Sequence, residues 1–105
     1  MSEKSSLHEI QRIVDEWINN HGGYWPPLAM LSAVIEEIGE LAREINHLEG
    51  YKPKKTNEPI LNLGEELADL IFALICLANY YKIDLTKEIK KVLEKYENRD
   101  SKRFC

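Results

Sequence analysis

A chain of 105 residues, 44% hydrophobic and 30% charged, describes one compact domain spanning residues 1–105 and leaves no room for a second. Fourteen Lys and Arg against eighteen Asp and Glu give a net charge of -4, so there is no overall basic field to gather DNA or RNA, and nucleic acid is not an expected partner. The most apolar uncharged run, Leu70 to Tyr81, is 12 residues long, short of the ~20 that a membrane-spanning helix requires, so no membrane is expected either.

Met1 to Leu7 carries charge and serine but no apolar stretch, which is not the pattern of a signal peptide. Cys76 and Cys105 lie too far apart for a CxxC site and are too few for a disulfide framework. Reduced thiols and a cytoplasmic location are the expectation.

Apolar residues recur at spacings of three and four nearly throughout, so the fold class is all-α, a four-helix bundle-like arrangement. Ser6 with Glu9 forms a capping box that opens a first helix, whose buried stripe is Leu7, Ile10, Val14, Trp17 and Ile18. Asn20 to Pro26 is a loop, and Pro27 suits a first helical position. A second helix carries the stripe Leu28, Leu31, Val34, Ile35, Ile38, Leu41, Ala42, Ile45 and Leu48, and stops at Gly50.

Tyr51 to Pro59 is basic and broken by two prolines, so it is a connecting loop. Ile60 to Tyr81 is apolar almost all round, the pattern of a central helix surrounded by others. Asp84 caps a fourth helix with the stripe Leu85, Ile89, Val92, Leu93 and Tyr96, and residues 97–105 are a charged tail. A helix apolar all round in so short a chain implies that part of its surface meets a second copy, so a homo-oligomer, dimer or tetramer, is expected.

Charge is distributed unevenly. Residues 36–69 hold nine acids against four bases, whereas residues 82–105 hold eight bases against five acids. At ~100° per residue, Glu37 and Glu40 lie about 60° apart on the second helix, and Glu44 falls between them in angle, forming one acidic ridge beside the apolar stripe. On the third helix Asp69 shares its face with Ala73, Cys76 and Tyr80, and Glu66 lies one turn earlier. A carboxylate on an apolar wall needs a cation or hydrogen bonds, and no Lys or Arg occurs between Lys55 and Lys82.

Two helices that each offer acids at i and i+3 bring four carboxylates to one point, a set of hard oxygens suited to Mg2+ or Mn2+ rather than Zn2+. Neutralisation of the same acids by Lys and Arg of the fourth helix is the structural alternative. Trp17, His21, Tyr24 and Trp25 offer stacking surfaces, with Trp17 expected in the core and Trp25 either a loop anchor or a base platform. Lys52, Lys54 and Lys55 are placed to close over phosphates from the connecting loop, while His8 and His21 are surface residues.

The run Glu36-Glu37-Ile38-Gly39-Glu40-Leu41, followed after 25 residues beyond Glu40 by Glu66-Leu67-Ala68-Asp69, resembles the EExxE…ExxD signature of the MazG family of all-α nucleoside triphosphate pyrophosphohydrolases. Pro27-Leu28-Ala29-Met30, Cys76-Leu77-Ala78-Asn79, Ile83-Asp84-Leu85, and Lys95 with Arg99-Asp100 and Arg103 extend the likeness to small stand-alone members of that family. It covers the chain from about residue 24 onward; residues 1–23 match only as a first helix.

This resemblance implies hydrolysis of a nucleoside triphosphate, or its deoxy form, to monophosphate and pyrophosphate. It implies that Glu37, Glu40, Glu66 and Asp69 hold Mg2+, that Glu36 and Glu65 stand at positions that orient water, and that Lys95, Arg99 and Arg103 reach phosphates. Leu93 stands where larger MazG domains often carry Asn.

The charge layout agrees with this expectation: divalent ions bridge an acidic cluster and a polyanionic substrate, and bases near the end of the chain neutralise the outer oxygens. Three alternatives compete. Phosphoribosyl-ATP pyrophosphatase shares this type of fold and motif, and a non-catalytic helical adaptor would carry its acids only as a surface. Glu44-Ile45-Asn46-His47 has the Glu-x-x-His spacing of half a di-iron site, but no histidine follows His47 to supply the other half.

Overall fold

In the computed structural model residues 6–50 and 63–104 are described, with side chains for 6–50 and 63–99. Four helices follow in order, α1 (Leu7–Asn19), α2 (Pro27–Leu48), α3 (Leu63–Tyr80) and α4 (Leu85–Phe104), and no strand occurs among the described residues. None of these helices is long and apolar enough to cross a membrane. The helices fall into two compact units, one from residues 1–24 and 78–105 and the other from residues 25–77.

In the first unit α1 packs against α4. The capping box forms at its leading position: Ser6 Oγ accepts from the Glu9 amide at 3.1 Å, which satisfies an amide that the helix leaves orphaned. Val14 of α1 and Ala78 at the end of α3 are buried. Gln11 of α1 is buried too, and its amide is hydrogen-bonded through both of its polar atoms. Its Nε2 donates to Asn79 Oδ1 and to the Ile83 carbonyl, both at 2.9 Å, while its Oε1 accepts from the Leu85 amide at 2.9 Å.

Asn79 Nδ2 donates back to the Gln11 carbonyl at 3.0 Å. These four bonds fasten α1 to the turn that joins α3 to α4. The start of α4 thus has two acceptors, Gln11 and Asp84, whose Oδ1 accepts from the Lys87 amide at 3.3 Å. Lys82 in this turn has φ 59, the left-handed conformation with which helices commonly end.

Residues 97–104, expected as a charged tail, continue α4 as helix. The apolar stripe does end at Tyr96, but Glu, Lys and Arg are strong helix formers and no Gly or Pro interrupts residues 85–104. Trp17, expected in the core, is 52% exposed and stacks on His21 with ring centroids 4.1 Å apart. His21 Nδ1 donates to the Trp17 carbonyl at 2.6 Å and holds the pair together outside the stripe.

In the second unit α2 begins at Pro27, whose missing amide costs nothing at the first turn, and closes ahead of Gly50, which adopts φ 77. The basic segment 51–59 and the start expected for α3 at Ile60 lie outside the described residues. Met30 and Val34 of α2 and Ile75 and Cys76 of α3 are buried. Burial pushes the Cys76 thiol above its ordinary value, so this cysteine is a packing residue rather than a reactive one.

Within one chain α3 is not covered all round: Leu67, Ile71, Phe72 and Leu74 are exposed, whereas Ile75, Cys76 and Ala78 are buried. On α2 the residues Leu28, Leu31, Ile35, Ile38 and Ile45 are likewise exposed, Leu28 at 74%. The first four repeat at steps of three, four and three and Ile45 follows seven residues on, the spacing of an a/d seam, so among the described residues each of these helices carries an exposed apolar stripe.

Candidate metal centre

Glu37 projects from the middle of α2, and Glu66 and Asp69 from the first turns of α3. Spacing of three within α3 puts its two acids on one face, and that face meets the ridge of α2. One carboxylate oxygen from each of Glu37, Glu66 and Asp69 can be chosen so that all lie within 4.8 Å of one another. With Glu36, Gly39 and Glu40 they line an open cavity of about 460 Å3.

Glu37 and Glu66 are half-buried, and Asp69 is exposed. The expectation of Asp69 on a closed apolar wall is therefore corrected. Its face becomes covered only further along α3, at Cys76, and the cavity is open at the level of Asp69.

The electrostatics are one-sided. Partial burial, and then the charges of Glu37, Asp69, Glu40 and Glu44, push the Glu66 carboxyl above its ordinary value of 4.5. Among the described residues no ion pair links a Lys or Arg to Glu37, Glu66 or Asp69. Hard oxygen donors from two rigid helices, mutually repelling and open on one side, fit a hydrated divalent cation of the Mg2+ type.

Glu44 continues the same ridge one turn beyond Glu40 and is the most deeply buried charged side chain described, at 1% exposure. Its Oε1 lies 3.8 Å from Arg43 Nε and 3.8 Å from His47 Nδ1. The Glu-x-x-His spacing thus brings the two side chains side by side within α2. Among the described residues the only group of three or more acids, His or Cys close enough to hold a metal is the one at Glu37, Glu66 and Asp69.

Of the other expected site residues, Glu36, Glu40 and Glu65 are exposed. Trp25, which opens the second unit, is 66% exposed. Lys95 and Arg99 are exposed on α4, in the first unit, and they share one ring: Lys95 Nζ lies 5.1 Å and Arg99 Cζ 5.8 Å from the centroid of Tyr96. Lys52, Lys54 and Lys55 and the Arg103 side chain lie outside the described residues.

One buried residue is only weakly signalled in the sequence. Gln11 looks like any polar residue on a helix, and only its offset from the apolar stripe by one position hinted at burial.

Residues 26–104 match the model of the MazG nucleotide pyrophosphohydrolase domain. The chain is 44% identical over 105 residues to the uncharacterised protein YpjD of Bacillus subtilis, covering 99% of this chain and 94% of that protein. It is similar to the crystal structure of YpjD with a TM-score of 0.83 at 41% identity, over 94% of this chain and 100% of that one. A second crystal structure, of the Bacillus-conserved MazG protein, a nucleotide pyrophosphohydrolase, matches with a TM-score of 0.78 at 38% identity, over 94% of this chain and 97% of that one.

Proposed function

The chain belongs to the MazG nucleotide pyrophosphohydrolase family, a family of hydrolases, and on that premise we propose that it is a Mg2+-dependent enzyme cleaving a nucleoside triphosphate, ribo or deoxy, to the monophosphate and pyrophosphate. The observation that carries this reading is the convergence of Glu37, Glu66 and Asp69 from two helices within 4.8 Å. Glu40, which lines the same cavity, completes a set of four oxygens for Mg2+, or for Mn2+ in its place. The ion supplies positive charge to phosphate oxygens that the bare acids would repel.

Hydrolysis at the α-phosphorus requires that the oxygen of a water molecule bond to it, that the bond to the α-β bridging oxygen break, and that the water lose a proton. Glu36 or Glu65 accepts that proton, both being exposed carboxylates beside the cluster residues in sequence. Glu37, Glu40, Glu66 and Asp69 would hold the ion, which would supply charge to the phosphates. No Ser or Cys nucleophile is needed.

Lys95, Arg99, Arg103 and Lys54 neutralise the outer phosphate oxygens. For Lys95 and Arg99 this is supported by their shared, exposed position beside Tyr96. Trp25 stacks on the base.

The exposed a/d-spaced stripes of α2 and α3 support assembly as a homo-oligomer of the single domain 1–105, and the proposed location is cytoplasmic. The test is pyrophosphate release from a panel of ribo- and deoxynucleoside triphosphates and phosphoribosyl-ATP, with Mg2+ and with a chelator. Turnover of a triphosphate that stops on chelation is the expected result. Selective turnover of phosphoribosyl-ATP would move the substrate class, and no turnover of any substrate would leave a helical adaptor.

A further inference from the structure

Glu44 is a buried titratable group to which the reaction proposed above gives no task. It does not line the acidic cavity, yet it belongs to the same ridge of α2. In angle it falls between Glu37 and Glu40, and its Cα lies about 6 Å beyond that of Glu40 along the helix. It is sealed from solvent at 1% exposure, and the His47 side chain beside it is 9% exposed.

A carboxylate costs more to bury than an apolar side chain of similar volume, so packing alone gives no reason for glutamate at this position. The two basic side chains next to it on α2 do not account for it either. Arg43 Nε and His47 Nδ1 each stand 3.8 Å from Glu44 Oε1, past hydrogen-bond length, and the Arg43 side chain is 55% exposed, so water weakens its attraction.

What the position supplies is negative charge, fixed in a rigid helix one turn beyond the ligand oxygens. We propose that Glu44 is a positioning residue for the metal: its buried carboxylate draws a divalent cation to Glu37, Glu40, Glu66 and Asp69 without touching it. The inference rests on the metal site of the function proposed above and adds to it a residue from outside the cavity.

The charge of Glu44 is felt at that site, because it is among those that push the Glu66 carboxyl upward. A charge that opposes a second negative charge at Glu66 favours a positive one at the same place. Its burial also decides how far it acts, since a charge removed from water is screened less, by solvent and by salt, than one on the surface.

The test titrates Mg2+ alone, by calorimetry, into the metal-free parent, Glu44→Gln, Glu44→Asp and Glu49→Gln, and melts each protein without metal. Glu44→Gln keeps the shape of the side chain and removes the charge. It is expected to raise the Kd for Mg2+ about tenfold, at low and at high salt alike, with the metal-free melting temperature unchanged or higher. Glu44→Asp keeps the charge and leaves a void, so it is expected to melt below the parent and yet bind Mg2+ with near-parental affinity. Glu49→Gln removes a charge from the exposed end of the same helix and is expected to leave the Kd unchanged.

An unchanged Kd in Glu44→Gln overturns the proposal. So does an equal loss of affinity in Glu44→Asp, which would make the shape of the side chain the cause and not its charge. A metal-free Glu44→Gln that melts well below the parent also overturns it, by showing that the carboxylate serves the fold through a protein cation. A parent that takes up no Mg2+ defeats the metal site of the underlying function instead, and shows this before any variant is compared.

Discussion

At the scale of single residues, the cluster of Glu37, Glu66 and Asp69 gathers like charges in one open cavity, and the fold carries their repulsion until a cation relieves it. A ligand that binds only the folded state stabilises it by RT ln(1 + [L]/Kd), so Mg2+ at about ten times its Kd adds roughly 1.4 kcal/mol. Asp69→Asn and Glu66→Gln are expected to leave the metal-free melting temperature unchanged or raise it, and to abolish the rise caused by Mg2+. Thermal melts with Mg2+ and with a chelator check this, and a variant that melts well below the metal-free parent would mean that protein cations pair with these acids.

The raised Glu66 carboxyl fixes the sign of a pH effect. A carboxyl whose folded value lies above its unfolded one contributes stability that is complete below the ordinary 4.5 and is lost as the pH rises through the raised value. The metal-free parent is therefore expected to lose stability relative to Glu66→Gln as the pH climbs from 4.5 toward neutrality, and a difference that is flat with pH contradicts the assigned surroundings.

For Lys95→Ala and Arg99→Ala the expectation is a KM about tenfold higher, the worth of one charged hydrogen bond, with the Mg2+ effect on melting intact. The loss should shrink at high salt because both side chains are exposed. A parallel loss of metal affinity would show that these residues organise the acids instead of meeting phosphate.

At the scale of elements, α1 is tied to the start of α4 through one amide side chain. Gln11→Ala leaves the Leu85 amide and the Ile83 carbonyl without that partner and is expected to cost about 2 kcal/mol in chemical denaturation. Arg12→Ala, which removes an exposed pair with Glu16 at 2.8 Å, is the control and should change stability by no more than about 0.5 kcal/mol. Equal effects of the two changes would deny Gln11 its fastening role.

The contrast marks what sequence could reveal here. Ser6, Pro27, Gly50 and Asp84 act through bonds within a few residues of themselves, so the helix boundaries they set were readable from local chemistry. Gln11, by contrast, bonds to residues about seventy positions away. Glu44 lies in angle on the acidic ridge beside the stripe, and nothing in its period reveals which neighbour covers it. The convergence of Glu37 with Glu66 and Asp69 was legible because three-residue spacing on two helices is a local signal that needs only one long-range fact, that the two faces meet. The limit of α4 was misplaced because an apolar stripe reports where a helix is buried, and a helix of Lys, Glu and Arg persists beyond its buried part.

At the scale of the molecule, the uncovered stripes of α2 and α3 change what the apolar character of α3 means. A helix hydrophobic all round can be surrounded by its own chain or by another, and on the homo-oligomeric reading proposed above the exposed Ile35, Ile38 and Ile71 meet a second copy. A charge placed in the stripe by Ile35→Glu is expected to reduce the mass in solution, read by light scattering, while Lys87→Glu on the exposed face of α4 leaves it unchanged. A parent that is already a monomer contradicts this account of the stripes.

The central claim, that the acidic cavity serves hydrolysis between the α and β phosphorus atoms, is tested most directly by 31P NMR of the enzyme with a nucleoside triphosphate and Mg2+. The predicted result is nucleoside monophosphate and pyrophosphate appearing in equal amounts, and neither appearing when Glu66→Gln replaces the parent. Nucleoside diphosphate with orthophosphate would place the cleavage at the other bond and contradict the claim.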